Sequence, residues 1–155
     1  MIDQVFRDRS TWAELPAKFE AGTLPIAQII GLGAAIEYVR RIGFETIEQH
    51  EHQLLEKAHD ALAQLPGLTI LGPAQEHKGA IASFTIDQLH PHDIADWLDR
   101  AGVAVRAGHH CTMLLHKHLD IHASTRASFA FYNNESDIDA LVEGLRYTME
   151  KHKLL

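Results

Sequence analysis

The chain has 155 residues, 46% of them hydrophobic and 23% charged, with a formal net charge of -7. This is the composition of an ordinary folded domain, and its acidic balance excludes the Lys/Arg-rich surface that neutralises phosphates, so no nucleic acid partner is expected. A single cysteine closes no internal disulfide, which makes a reducing cytoplasm the expected compartment. The N-terminus lacks an apolar signal core and no apolar run approaches a membrane span, so no membrane is expected either.

Residues 1–25 show no clean period and contain Pro16 and Gly22, and they read as an extended connecting arm or loop. Residues 26–42 are apolar on most sides with small residues interleaved, predicting a largely buried helix ended by Gly43. Gly31 and Gly33 each cost about 1 kcal/mol relative to Ala in a helix, so close packing is expected around them. Phe44, Ile47, Leu54, Leu55, Ala58, Leu62 and Leu65 follow a 3.6-residue stripe that Pro66-Gly67 stops, predicting an amphipathic helix.

Residues 68–72 and 79–86 read as strands separated by the breaker cluster 73–78. Residues 91–101 read as a short helix with Ile94, Ala95, Trp97 and Leu98 inward and Gly102 after it. Val103-Ala104-Val105 reads as a third strand, delivering the chain to a loop that carries Cys111. Residues 125–132 alternate as a fourth strand, and residues 135–152 as a last helix with Asn133 or Asn134 as its cap and Ile138, Leu141, Leu145 and Met149 as its stripe. The order predicts an α+β fold, a small sheet of about four strands covered by helices.

Three segments carry groups capable of chemistry. In Val105-Arg106-Ala107-Gly108-His109-His110-Cys111-Thr112 the lone thiol has a guanidinium and two imidazoles as neighbours. A free cysteine titrates at about 8.5, and positive neighbours lower that and favour the nucleophilic thiolate. Most free cysteines are small buried apolar residues, but these polar neighbours make a core site awkward. Arg126 opens an otherwise apolar strand, where its planar fork suits a carboxylate of a substrate or, equally, a structural ion pair. Gly22-Thr23 precede a helix, where backbone N–H groups and a hydroxyl suit a phosphate or serve as an ordinary turn.

Twelve histidines invite a metal reading, with His118 and His122 at i, i+4 and His110 beside Cys111. There is no second cysteine and no His-Glu-x-x-His, so no metal is expected.

Together, Phe19-Glu20-Ala21-Gly22-Thr23, Ile30-Gly31-Leu32-Gly33-Ala34-Ala35, the Arg-x-Gly-His-His-Cys motif ending at Cys111, and Arg126-Ala127-Ser128-Phe129-Ala130-Phe131-Tyr132-Asn133 occur in one order along nearly the whole chain. In that order they resemble the C-terminal third of the group II cysteine desulfurases, the SufS-type and selenocysteine-lyase-like branch of the pyridoxal-phosphate enzymes of aminotransferase fold type I. The resemblance implies residues 1–25 as a connecting arm and residues 26–155 as the C-terminal small domain. It implies Cys111 as the thiol that takes sulfur from L-cysteine as a persulfide, with L-alanine released and the sulfur passed to an acceptor protein for iron–sulfur cluster assembly.

By the same resemblance Arg126 holds the substrate carboxylate and Gly22-Thr23 reach the cofactor phosphate of the other subunit in a homodimer. Arg106, His109 and His110 support the loop. Two departures stand out: Leu24-Pro25 follow Gly-Thr where Pro-Asn is frequent, and Thr112-Met113-Leu114 follow the cysteine where Ala-x-Pro is usual.

The family's large domain supplies the cofactor's lysine in a Ser-x-His-Lys setting, and Lys18, Lys57, Lys78, Lys117, Lys151 and Lys153 are not in that setting. The chain alone is therefore expected to be inactive as a desulfurase, and the helix around residues 29–39 to leave an apolar face for the missing large domain. The alternatives are a sulfur-relay or interaction module that carries a persulfide on Cys111 without the cofactor, and a metal-binding domain using His110 and Cys111.

Overall fold

The computed structural model describes residues 1–155 and divides into two units, Met1–Phe44 and Glu45–Leu155. In the first unit, strands β1 (Ile2–Val5) and β2 (Ser10–Trp12) pair antiparallel, with Ile2 opposite Trp12. Phe6 N–H donates to the Arg9 carbonyl at 2.8 Å and closes the connecting turn. A hairpin thus replaces the irregular arm expected at this end. Its strands are only four and three residues long and exposed throughout, so no buried face imposes a period on them.

Helix α1 (Ile26–Ile42) has the expected bounds, and Gly43 terminates it at φ 93°, a backbone setting that favours glycine. The expected burial is absent. Ile29, Ile30, Leu32 and Ile36 are 52%, 68%, 62% and 49% exposed, and no residue of the helix is buried. Nothing lies within 4 Å of a side chain built at Gly31 or Gly33, so no close neighbour explains these glycines.

The second unit is built on an antiparallel sheet in the order β3 (Leu68–Leu71), β4 (Ile81–Ile86), β6 (Ser124–Ser128), β5 (Arg106–Gly108). With helices α2 (Phe44–Leu62), α3 (Pro91–Arg100) and α5 (Glu135–Lys151), it forms the expected α+β arrangement. Side chains alternate between the two faces of the sheet. Ala82, Phe84 and Ile86 of β4 and Thr125 and Ala127 of β6 turn to one face and are buried with Leu55 and Leu62 of α2, Ile94 and Leu98 of α3, and Leu141, Leu145 and Met149 of α5. Ser83, Ser124 and Arg126 turn to the other face.

Cap chemistry sets the helix ends. Pro91 occupies the first turn of α3, and the His90 ring accepts from His92 N–H at 3.2 Å. Asn134 and Asp137 form a reciprocal capping box at α5, which accounts for the lowered pKa of Asp137, whose carboxylate accepts from Asn134 N–H and the Asn133 amide. Gly144 brings α5 against α3, since a side-chain carbon there would meet Leu98 at 2.7 Å.

Three further elements differ from expectation. The fourth strand, expected over residues 125–132, ends at Ser128. Val103–Val105 are not a strand; Val103 and Val105 pack against the core while the pairing with β6 falls to Arg106–Gly108. A six-residue helix, α4 (Met113–His118), also occupies the loop after Cys111.

Phe84 is fully buried at the centre of the sheet, and Phe84→Ala is expected to cost about 3–5 kcal/mol, read as a shifted midpoint in urea denaturation.

Candidate active site

The outer face of the sheet carries a row of paired residues: Leu71 opposite Ser83, Ser83 opposite Arg126, and Arg126 opposite Arg106. Two guanidinium side chains therefore stand side by side on neighbouring strands, an unfavourable pairing of like charges. No carboxylate offsets it, for the ion pairs of the chain are Asp8–Arg9, Lys57–Glu135 and Asp96–Arg100. Arg126 Nε is buried without a hydrogen-bond partner. A buried donor on a charged group carries a large penalty unless an acceptor reaches it.

Arg126 lines a cleft of about 430 Å³ on this face, together with Ser83, Ser124, His110, Thr112 and His116. The chain above it reverses at His109–Thr112. His110 and Cys111 take φ values of 51° and 61°, and Thr112 N–H donates to the His109 carbonyl at 2.8 Å. Two consecutive left-handed residues are the pattern of a type I′ turn, which glycine and asparagine adopt far more easily. The turn places Cys111 at its apex, exposed, while its neighbours His110 and Thr112 face the cleft.

His110 is fastened by its Nε2–H, which donates to the Ser124 carbonyl at 3.2 Å. Burial of the ring holds its pKa below the ordinary value; Arg126, His116 and Arg106 push the same way, against the Ser124 hydrogen bond. The shift favours the neutral ring, against the cationic surroundings expected for the thiol. The ring's Nδ1, bare of a proton in that state, is buried without a partner. His109 is exposed and contributes its carbonyl to the turn. Gly22 and Thr23 lie in the other unit, in an exposed bend with Gly22 at φ 85°.

His116 enters the sequence reading only as one of the histidines that invite a metal, and Thr112 only as a polar neighbour of Cys111; their link to Ser124 is not expected from it. His116 is 5% exposed, with Nδ1 3.1 Å from the Thr112 carbonyl and Nε2 3.0 Å from Ser124 Oγ. The i, i+4 spacing of Thr112 and His116 was the available signal, but a helix of six residues shows too little period to reveal it. His118 and His122 do not share a helix face, because α4 ends at His118; no three His, Cys, Asp or Glu side chains converge as a ligand set.

Residues 1–141 match the model of the aminotransferase class-V family. The chain belongs to that family. It is 52% identical over 150 residues to a protein of Halalkalibacterium halodurans named "Probable cysteine desulfurase", an overlap of 97% of this chain and 36% of that protein. Among solved structures it matches the cysteine desulfurase CsdA of Escherichia coli with a TM-score of 0.86 at 34% identity, across 97% of this chain and 37% of that one. The cysteine desulfurase of Thermococcus onnurineus NA1 matches with a TM-score of 0.85 at 36% identity, across 97% and 38%. This class-V chain thus spans just over a third of the length of the relatives it matches.

The class-V family is pyridoxal-phosphate dependent. In the cleft the unpartnered Arg126 Nε can donate to an anionic group such as a carboxylate. The cleft offers no amine. No lysine lines it, and Lys78 is turned to the Leu71 carbonyl at 2.7 Å and to the His59 ring at 3.4 Å. No helix of the chain is long and apolar enough to cross a membrane.

The lowered pKa of His110 makes stability depend on pH. The unfolded imidazole, near 6.5, takes up a proton before the folded one, so stability is full above that pH and is lost as the pH falls from there through the lower folded value. His59 is lowered too, chiefly by burial and then by Lys78, and acts in the same direction. Melting curves from pH 7.5 to 5 are expected to show a falling Tm, with a shallower fall in His110→Gln and the rest of the slope reduced in His59→Gln.

Proposed function

We propose that the chain is the C-terminal small-domain portion of a pyridoxal-phosphate-dependent cysteine desulfurase, with residues 1–25 as the connecting arm and residues 26–155 as the small domain. The observation that carries this reading is the Arg126 guanidinium, lacking an ion pair, lining a cleft whose rim presents Cys111 on a strained turn.

On this reading Arg126 binds the carboxylate of L-cysteine through its two-pronged fork and orients the substrate. Arg106, directly opposite on β5, adds positive potential to the same face and favours the anion further. Cys111, as thiolate, attacks the substrate sulfur. A sulfur–sulfur bond forms, the carbon–sulfur bond breaks, and its electron pair leaves on carbon, which becomes alanine on protonation. The cofactor, when bound, supplies the sink that makes that carbon a competent leaving group. His109 and His110 shape the turn that carries the thiol.

The backbone and hydroxyl at Gly22-Thr23 would hold the cofactor phosphate, in a homodimer that places them at the other subunit's site. Exposure of Cys111 suits transfer of the persulfide sulfur to an acceptor protein, and cluster assembly in the cytoplasm is the destination this reading assigns. The lysine that binds the cofactor belongs to the rest of the parent enzyme.

Two outcomes follow. The isolated chain, given pyridoxal phosphate and L-cysteine, is expected to release no alanine above background. Mixed with a persulfide donor, it is expected to gain one sulfur in its intact mass, and Cys111→Ser none. Release of alanine by the chain alone, or equal labelling of Cys111→Ser, would remove this reading.

A further inference from the structure

For a neutral His116 ring the hydrogen bonds have only one consistent direction. The Thr112 carbonyl can only accept, so the Nδ1 that lies 3.1 Å from it carries the proton. The Thr112 hydroxyl spends its own hydrogen on the His109 carbonyl at 2.8 Å, leaving its oxygen as a second acceptor 3.3 Å from the same Nδ1. Nε2 of the neutral ring is then an acceptor, and the Ser124 hydroxyl donates to it at 3.0 Å. A directed chain thus runs from Ser124 through His116 and Thr112 to the His109 carbonyl.

Its two ends are informative. Ser124 stands two residues before Arg126 on the same face of β6, whereas Thr112 and His109 are the residues that close the turn over Cys111. His110 docks on the Ser124 carbonyl at 3.2 Å, so both imidazoles attach the thiol-bearing turn to one residue of the arginine strand. At the buried end of this hydrogen-bonded chain His116 and the Ser124 hydroxyl satisfy each other, which fixes their arrangement because an alternative leaves a buried group without its partner.

We infer that His116 is a positioning residue, which through Ser124 and Thr112 sets the separation between Cys111 Sγ and the Arg126 guanidinium and thereby selects substrates by the distance from carboxylate to sulfur. The assignment rests on the carboxylate-clamp role proposed for Arg126.

The test uses the full chain and two alkylating probes, 3-bromopropionate and its neutral amide. Each joins its bromine-bearing carbon to Cys111 Sγ with loss of bromide, and only the acid can use the clamp. The measured quantity is the ratio of the two alkylation rates, divided by the same ratio for a small free thiol. The wild-type ratio is expected to exceed that of Arg126→Gln.

His116→Met, close in volume and without ring nitrogens, is expected to lower the ratio about fivefold, and Ser124→Ala similarly, the size of one net hydrogen bond. His116→Gln, able to donate and accept, is expected to restore most of it. Circular dichroism checks that each variant is folded, and Ser124→Ala serves if His116→Met is not. Folded His116→Met or Ser124→Ala with the wild-type ratio, alongside a loss in Arg126→Gln, would overturn the positioning role alone. A wild-type ratio in Arg126→Gln would overturn the clamp itself, and this inference with it.

Discussion

Strand β6 is hydrogen-bonded on both sides, to β4 and to β5, and its register decides what each face of the sheet can be. With Phe84 opposite Thr125 and Ala82 opposite Ala127, the two core residues of β6 meet core residues of β4, and Ser124 and Arg126 are forced to the other face. A slip of one residue would exchange the faces and drive the guanidinium into the layer of Phe84, Leu141 and Leu145. The cost of a buried unpaired charge there far exceeds what any single contact returns. Core packing on one side of the sheet is therefore what holds the arginine on the other.

Several local preferences are violated around that arginine. Arg106 and Arg126 stand opposite each other without a carboxylate, His110 and Cys111 both adopt left-handed backbone, and Arg126 Nε and His110 Nδ1 are buried without partners. Each of these is unfavourable to folding. One further buried atom without a partner, the Thr125 hydroxyl, lies on the core face, but the others gather on the outer face of the sheet, in contrast to the conventional capping of α3 and α5 and the dense apolar layer between helices and sheet. Violations gathered at one place are characteristic of sites shaped for a ligand. The stable layer supplies the rigidity that keeps the strained turn in one conformation.

Much of the scaffold was legible because its signals are long. The stripes of α2 and α5 extend over about three turns or more, and Leu54, Leu55, Ala58, Leu62, Ile138, Leu141, Leu145 and Met149 are all buried as their spacing implies. Gly43 and Asn134 mark ends that depend on their own backbone or side chain. Short elements were legible only in part: β3, β4 and α3 lie where the sequence expects them, but β5 and α4 do not. Val103 and Val105 have the composition of a strand, yet they pack against the core while β5 forms from Arg106, Ala107 and Gly108, which carry no strand signal. In α1 the apolar composition was clear, but composition does not say where the covering surface is, and no residue of that helix is buried in this chain.

The candidate site divides along the same line. Residue chemistry by itself singled out Cys111, Arg106, His109, His110, Arg126, Gly22 and Thr23, since a lone thiol in a polar loop and an arginine in an apolar strand are unusual wherever they stand. Tertiary structure alone decided that Arg126 has no carboxylate partner, that burial lowers the pKa of His110, and that His116 ties the thiol's turn to the arginine's strand. The physical reason is range. Alternation and capping act over a few residues, whereas ion pairing, burial and the bond between His116 and Ser124 depend on what packing brings together around one cleft.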